Sequence, residues 1–80
     1  MESVKLCRKD ICGRIALARN FRGITQKKLG SMIGRQGVTV SDYENLRASP
    51  PIEIIQKISD ALDVPTKYLL YGGPVTITFG

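Results

Sequence analysis

Eighty residues make one domain, and a chain this short buries only about 60–65% of the surface its unfolded form exposes, too little for a deep enclosed cleft. An enzyme built round a pocket is therefore disfavoured. Twelve Lys and Arg against seven Asp and Glu leave a net charge of +5, and the imbalance is uneven: residues 1–35 hold nine basic and two acidic side chains, residues 36–80 three and five, so one half presents a cationic surface suited to a polyanion.

Residues 1–9 read as a polar, basic lead-in, with Arg8 and Lys9 as candidates for a basic arm. Asp10 then offers an N-cap for a first helix whose apolar positions Ile11, Ile15, Ala18 and Phe21 follow helical spacing, and Gly23 ends it after Arg22. Arg14 and Arg22 read as solvated charges. Cys7 and Cys12 lie five apart, which turns them to different faces of a helix. With no histidine and no third cysteine, one chain cannot assemble the usual four-ligand zinc site, so reduced thiols are expected, with Cys12 packed as a small hydrophobe. No apolar run approaches the roughly 18 residues of a membrane span and the first residues lack the apolar stretch of a signal peptide, so a cytoplasmic protein is expected.

Thr25 is a second N-cap, opening a helix from Gln26 to Ile33 with Leu29, Met32 and Ile33 on one face and Gly34 able to take a left-handed conformation after it. A helix of barely two turns must be held by packing. A third helix is expected from about Gly37 to Leu46, with Val40 and Tyr43 inward. Its Val38-Thr39-Val40 run is mediocre for a helix, by roughly a few tenths of a kcal/mol per residue, which packing overrides. Pro50 and Pro51 precede a fourth helix whose apolar period is Ile52, Ile55, Ile58, Ser59 and Leu62. Val64 and Pro65 break it, and a fifth runs from about Pro65 to Leu70 with Tyr68 and Leu69 inward. In the final residues Val75, Ile77 and Phe79 alternate with threonines, the period of a β-strand. That strand can lie back on its own helices, fray, or pair with the same strand of a second copy, the last being the favoured dimer contact.

Two short helices joined by a glycine turn, the second amphipathic with small polar side chains outward, describe a helix-turn-helix. Gly30 would be small because the second helix crosses over it, while Leu29, Ile33, Val40 and Tyr43 fill the space between the two. The segments "RIALARNFRGITQKKLG", "IGRQGVTVSDYEN" and "ISDALDVPTKYLLYG" resemble the phage repressor and Cro-type, or XRE-like, helix-turn-helix family over about residues 11–72. That resemblance implies an all-α, compact five-helix lambda-repressor-like DNA-binding domain across residues 10–72 with the motif at 26–45, followed by the short C-terminal strand over 73–80.

The resemblance also implies a function. The second helix of the motif would lie in the major groove of double-stranded DNA, with Gly37, Val38, Ser41 and Asp42 as base contacts and Gln26 on a phosphate. Gly37 can donate only its backbone N–H, Val38 can touch a thymine methyl, and Asp42 can accept from cytosine N4 or pair with a nearby base. This shifts weight to Arg35, Gln36 and Thr39 as additional contacts, against solvated charge, N-cap and helix surface respectively. Lys27 and Lys28 sit in the first turn of a helix, where acids would stabilise, and a phosphate there would reverse that cost. Asn45 and Arg47 follow the recognition helix at positions that meet phosphate. Arg19 and Glu44 would form a partly buried pair tying the first helix to it. Implied overall is a bacterial or phage-encoded homodimeric repressor of transcription on a palindromic operator, with no cofactor, metal or small-molecule substrate. Alternatives are the antitoxin of a toxin–antitoxin pair and a protein-interaction module that has lost DNA binding.

Overall fold

The computed structural model describes residues 7–72. They form five helices: α1 (Arg8–Phe21), α2 (Gln26–Met32), α3 (Gly37–Glu44), α4 (Ile52–Leu62) and α5 (Thr66–Tyr71). The proposed strand residues Val75, Ile77 and Phe79 lie outside the described residues.

The all-α, five-helix expectation holds, with local corrections. Helix α1 starts two residues before Asp10: Cys7 occupies the N-cap without a side-chain hydrogen bond, and Asp10 lies inside the first turn, where its charge complements the helix dipole. Arg8 and Lys9 are thus helical and do not belong to an arm. The buried stripe of α1 is Ile11, Cys12, Ile15 and Ala18, whereas Phe21 turns outward and its ring lies beside its neighbour Arg22, whose guanidinium is 5.5 Å from the ring centre. Met32 is likewise exposed, because the inward face of α2 is completed by Leu29 and Ile33. On α4 the buried residues are Ile54, Ile55, Ile58, Ser59 and Leu62, and Ile52 is half exposed. The helix begins only after Pro51, so Ile52 is its first, outward residue, and the inward stripe runs through 54, 58 and 62 beside 55 and 59. Helix α5 starts one residue later than expected, with Pro65 as its cap, and buries Leu69 while Tyr68 packs at the edge of the core.

One core unites the helices. Ile15, Leu29, Val40, Ile58 and Leu69 have no exposure at all, and Tyr43, Ile33 and Leu62 close around them. Buried polarity is satisfied: the Ser59 hydroxyl donates to the Gln56 carbonyl or shares its proton with Thr66 Oγ1, both at 2.7 Å. Among the described residues no buried side-chain donor or acceptor lacks a partner.

Two arginines expected to be solvated instead close the fold. Arg14 donates from Nε and Nη2 to the carbonyls of Leu69 and Leu70 at 2.9 Å, and Arg22 from Nε and Nη2 to those of Leu62 and Asp63 at 2.7 and 2.8 Å. Each guanidinium thus caps the C-terminal end of α5 or α4, where free carbonyls and the dipole favour a cation. Arg14, Ala18 and Arg22 recur every four residues, so both arginines flank a buried alanine on one face of α1; that spacing alone does not distinguish them from solvated arginines.

Candidate nucleic-acid interface

The site is built from α2 and α3. Helix α2 begins because Thr25 Oγ1 accepts the Lys28 N–H at 3.0 Å, leaving one fewer unpaired donor in its first turn. It ends at Gly34, whose φ of +74° allows the chain to turn back while the Arg35 N–H donates to the Gly30 carbonyl at 2.7 Å. After Gln36, an N-cap without a side-chain hydrogen bond, α3 starts.

Two glycines let the pair approach closely. A Cβ on Gly30 would lie 2.7–2.9 Å from the backbone of Gln36 and Gly37, and a Cβ on Gly37 would lie 2.9 Å from Lys27 Cα and 3.1 Å from its nitrogen. Each position faces the backbone of the other helix, so neither tolerates a side chain without displacing α3. Gly37 is therefore first a packing residue; its lack of a reading side chain follows from the close crossing at the very start of α3.

The crossing is reinforced at the other end of α3. Arg19 of α1 donates to both Glu44 carboxylate oxygens, Nε to Oε2 at 2.6 Å and Nη2 to Oε1 at 2.9 Å, while its Nη1 reaches the Ile24 carbonyl at 2.8 Å. Both partners are largely buried, and the hydrogen bond to Glu44 pushes the arginine above its ordinary range despite the opposing effect of burial. Glu44 Oε1 also accepts from Gln26 Nε2 at 3.0 Å, so one carboxylate gathers α1, α2 and α3. Nearby, Cys12 is buried and its thiol is held above the usual range chiefly by burial.

With Val40 and Tyr43 inward and Glu44 paired, the remaining face of α3 carries Val38, Ser41, Asp42 and Asn45, spaced i, i+3, i+4, i+7 along one stripe. Val38 is 62% exposed, the exposure of a surface residue despite its apolar side chain. Ser41, Asp42 and Thr39 are half-buried. Asn45 donates back to Ser41, to its carbonyl at 2.8 Å and its hydroxyl at 3.2 Å, and Arg47 lies 3.9 Å from the Asp42 carboxylate in an open, weak ion pair. Gln36, Lys27, Lys28 and Arg35 are exposed, Arg35 turning one N–H to the Gly34 carbonyl, whereas Gln26 is half-buried with its amide engaged by Glu44. The arrangement offers a narrow stripe of small and polar side chains next to exposed cations on a rigid pair of helices. Arg8 was missed as a member of this neighbourhood: its guanidinium donates to Ser49 Oγ at 2.8 Å and to the Leu46 carbonyl at 3.3 Å, just beyond α3.

Comparison with known proteins gives the same outline. A family model described as helix-turn-helix matches residues 15–69. Multiprotein-bridging factor 1 of Eremothecium gossypii is 36% identical over 61 residues, which cover 76% of this chain but 40% of that protein, so the chain spans well under half of this relative. Among solved structures, the P22 c2 repressor protein in complex with synthetic operator 9T is 31% identical with a TM-score of 0.73, the match covering 88% of this chain and 100% of that one. A hypothetical transcription factor, NHTF, from Neisseria is 25% identical with a TM-score of 0.74, covering 88% and 86% of the two chains. By the family match across most of its length and the geometry of α2 and α3, the chain belongs to the repressor and Cro-type helix-turn-helix family.

Proposed function

We propose that the protein is a repressor that binds a two-fold symmetric operator as a homodimer, inserting α3 into the major groove. The observation that carries this reading is the outward stripe of Val38 and Asn45, exposed, with Ser41 and Asp42, half-buried, on a helix locked by Gly30, Gly37 and the Arg19–Glu44 pair. Val38 meets a thymine methyl, Asp42 accepts from cytosine N4, Ser41, Gln36 and Thr39 bond base edges, and Gly37 contributes its backbone N–H. Lys27, Lys28, Arg35 and Arg47 neutralise phosphates on either side, joined by the neutral donors Gln26 and Asn45. The P22 repressor, similar over all of its chain, is bound to an operator in its structure, which supports the geometry.

One module of this size reads few base pairs, so two copies would occupy half-sites about 34–36 Å apart, one helical turn. Val75, Ile77 and Phe79 are the proposed dimer contact. Occlusion of a promoter then needs neither chemistry nor cofactor.

A salt titration tests the reading. Four cationic phosphate contacts per protomer predict a log–log slope of about −3.6 per half-site. A flat response, or no binding to any duplex, would leave the fold intact and remove the function.

A further inference from the structure

Arg8 is the first residue of α1, a place where the helix dipole disfavours a cation, and it makes no bond within its own helix that would compensate. Its guanidinium instead spans the segment after α3: Nη1 donates to Ser49 Oγ at 2.8 Å and Nη2 to the carbonyl of Leu46 at 3.3 Å. Leu46 has a φ of +64°, left-handed backbone that an L side chain rarely adopts, where a helix end normally carries Gly or Asn. The turn is stapled by the N–H groups of Arg47 and Ala48, which both donate to the Asp42 carbonyl, at 2.8 and 3.3 Å. Asn45 and Arg47 flank the left-handed residue. Arg8 and Arg19 are eleven residues apart, three helical turns, which returns to nearly the same face of α1. One face of α1 therefore grips α3 by its last side chain, Glu44, and the loop behind it by a backbone carbonyl and a hydroxyl.

We infer that Arg8 is a positioning residue for DNA: it holds the strained Leu46 turn so that Asn45 and Arg47 stand preset for the phosphate backbone, without touching DNA itself. This rests on the proposed phosphate contacts of those two residues. A strained turn reverts to commoner conformations when its ties are removed, and a contact that must first be reordered binds more weakly.

The test uses the full chain as wild type, Arg8→Ala and Arg8→Lys, the last keeping the charge but losing the fork that reaches two acceptors. Amide hydrogen exchange is read at Arg47 and Ala48, and affinity for an enriched duplex is read against salt, alone and with Arg47→Ala. Exchange at Arg47 and Ala48 should quicken about tenfold in both Arg8 variants, while the amides of Ile15 and Ile58 keep their rates. Duplex affinity should fall about five- to tenfold with an unchanged salt slope, and by less than about twofold once Arg47 is already alanine. Unchanged exchange at the two amides would overturn the proposal. So would a slope reduced by about 0.9 per half-site, the mark of Arg8 lying on a phosphate itself, or a loss that adds in full to that of Arg47→Ala. If the wild-type chain binds no duplex, the proposed function falls and Arg8 positions nothing for DNA; the exchange rates then report only whether it holds the loop.

Discussion

Replacing Gly37 by alanine ought to help a helix and here should harm one. Alanine in a helix is favoured over glycine by up to about 1 kcal/mol. Its Cβ, however, would lie 2.9 Å from Lys27 Cα and 3.1 Å from Lys27 N, backbone atoms of α2 that cannot rotate away. Restoring ordinary contact requires α3 to back off by roughly half an ångström or more, an overpacking cost of about 1–3 kcal/mol that outweighs the gain. The net loss should be up to about 2 kcal/mol, with each 1 kcal/mol lowering the melting temperature by about 4–8 °C for a domain of this size. Gly13→Ala is the control. It sits in α1 with nothing within 4 Å of its Cβ and should stabilise by about 0.5–1 kcal/mol. Gly30→Ala, whose Cβ meets three backbone atoms under 3.0 Å, should cost more than Gly37→Ala. Urea unfolding followed by far-ultraviolet circular dichroism measures all three. If Gly37→Ala is as stabilising as Gly13→Ala, the close crossing of α2 and α3 is wrong, and with it the explanation of why the recognition helix opens on a glycine.

Other expectations follow from the same geometry. Glu44→Ala strands a largely buried Arg19 and removes the acceptor of Gln26, and should cost about 3 kcal/mol in chemical unfolding; the double variant Arg19→Met, Glu44→Leu should recover more than half of it. Recovery of nothing would mean that the network acts through more than the pair. Lys27→Glu with Lys28→Glu should weaken binding to every duplex alike and lower the salt slope by about 1.8 per half-site, and an unaltered slope would take both lysines off the backbone. In the native protein iodoacetamide should alkylate the exposed Cys7 and spare the buried Cys12, as read by intact mass. Because burial raises the Cys12 thiol above its unfolded value, the unfolded chain ionises first, so stability should decline as pH rises through the unfolded and then the folded value. A Cys12→Ala variant should lose that alkaline component, and an identical alkaline decline would assign it elsewhere. Truncation after Gly73 should weaken dimerisation in sedimentation, and an unchanged association state would move the dimer contact away from Val75, Ile77 and Phe79.

What the sequence made legible was whatever is encoded locally. The Thr25 cap, the Gly34 turn and the spacing of Leu29, Ile33, Val40 and Tyr43 each act within a few residues, and each appears in the structure where it was expected. Less visible were interactions whose partners are remote along the chain. Arg8, Arg14 and Arg22 reach carbonyls or a hydroxyl 38 to 56 residues away, and no periodicity separates such an arginine from a solvated one. The choice between Ile52 and Ile54 depended on where the proline loop releases α4, a boundary that two consecutive prolines leave ambiguous. Gly37 read as an absent side chain at a contact position; only the second helix, lying against it, gives the glycine a positive role.

In the proposed complex α3 reads bases through Val38 and Asp42 while its neighbours hold phosphate. Selection of duplexes from a random pool, performed in parallel with wild type, Val38→Ala and Asp42→Ala, measures it most directly. Wild type should select a two-fold symmetric motif, and each variant should lose preference at different base pairs, with flanking positions unmoved. A motif identical in all three would contradict this base reading.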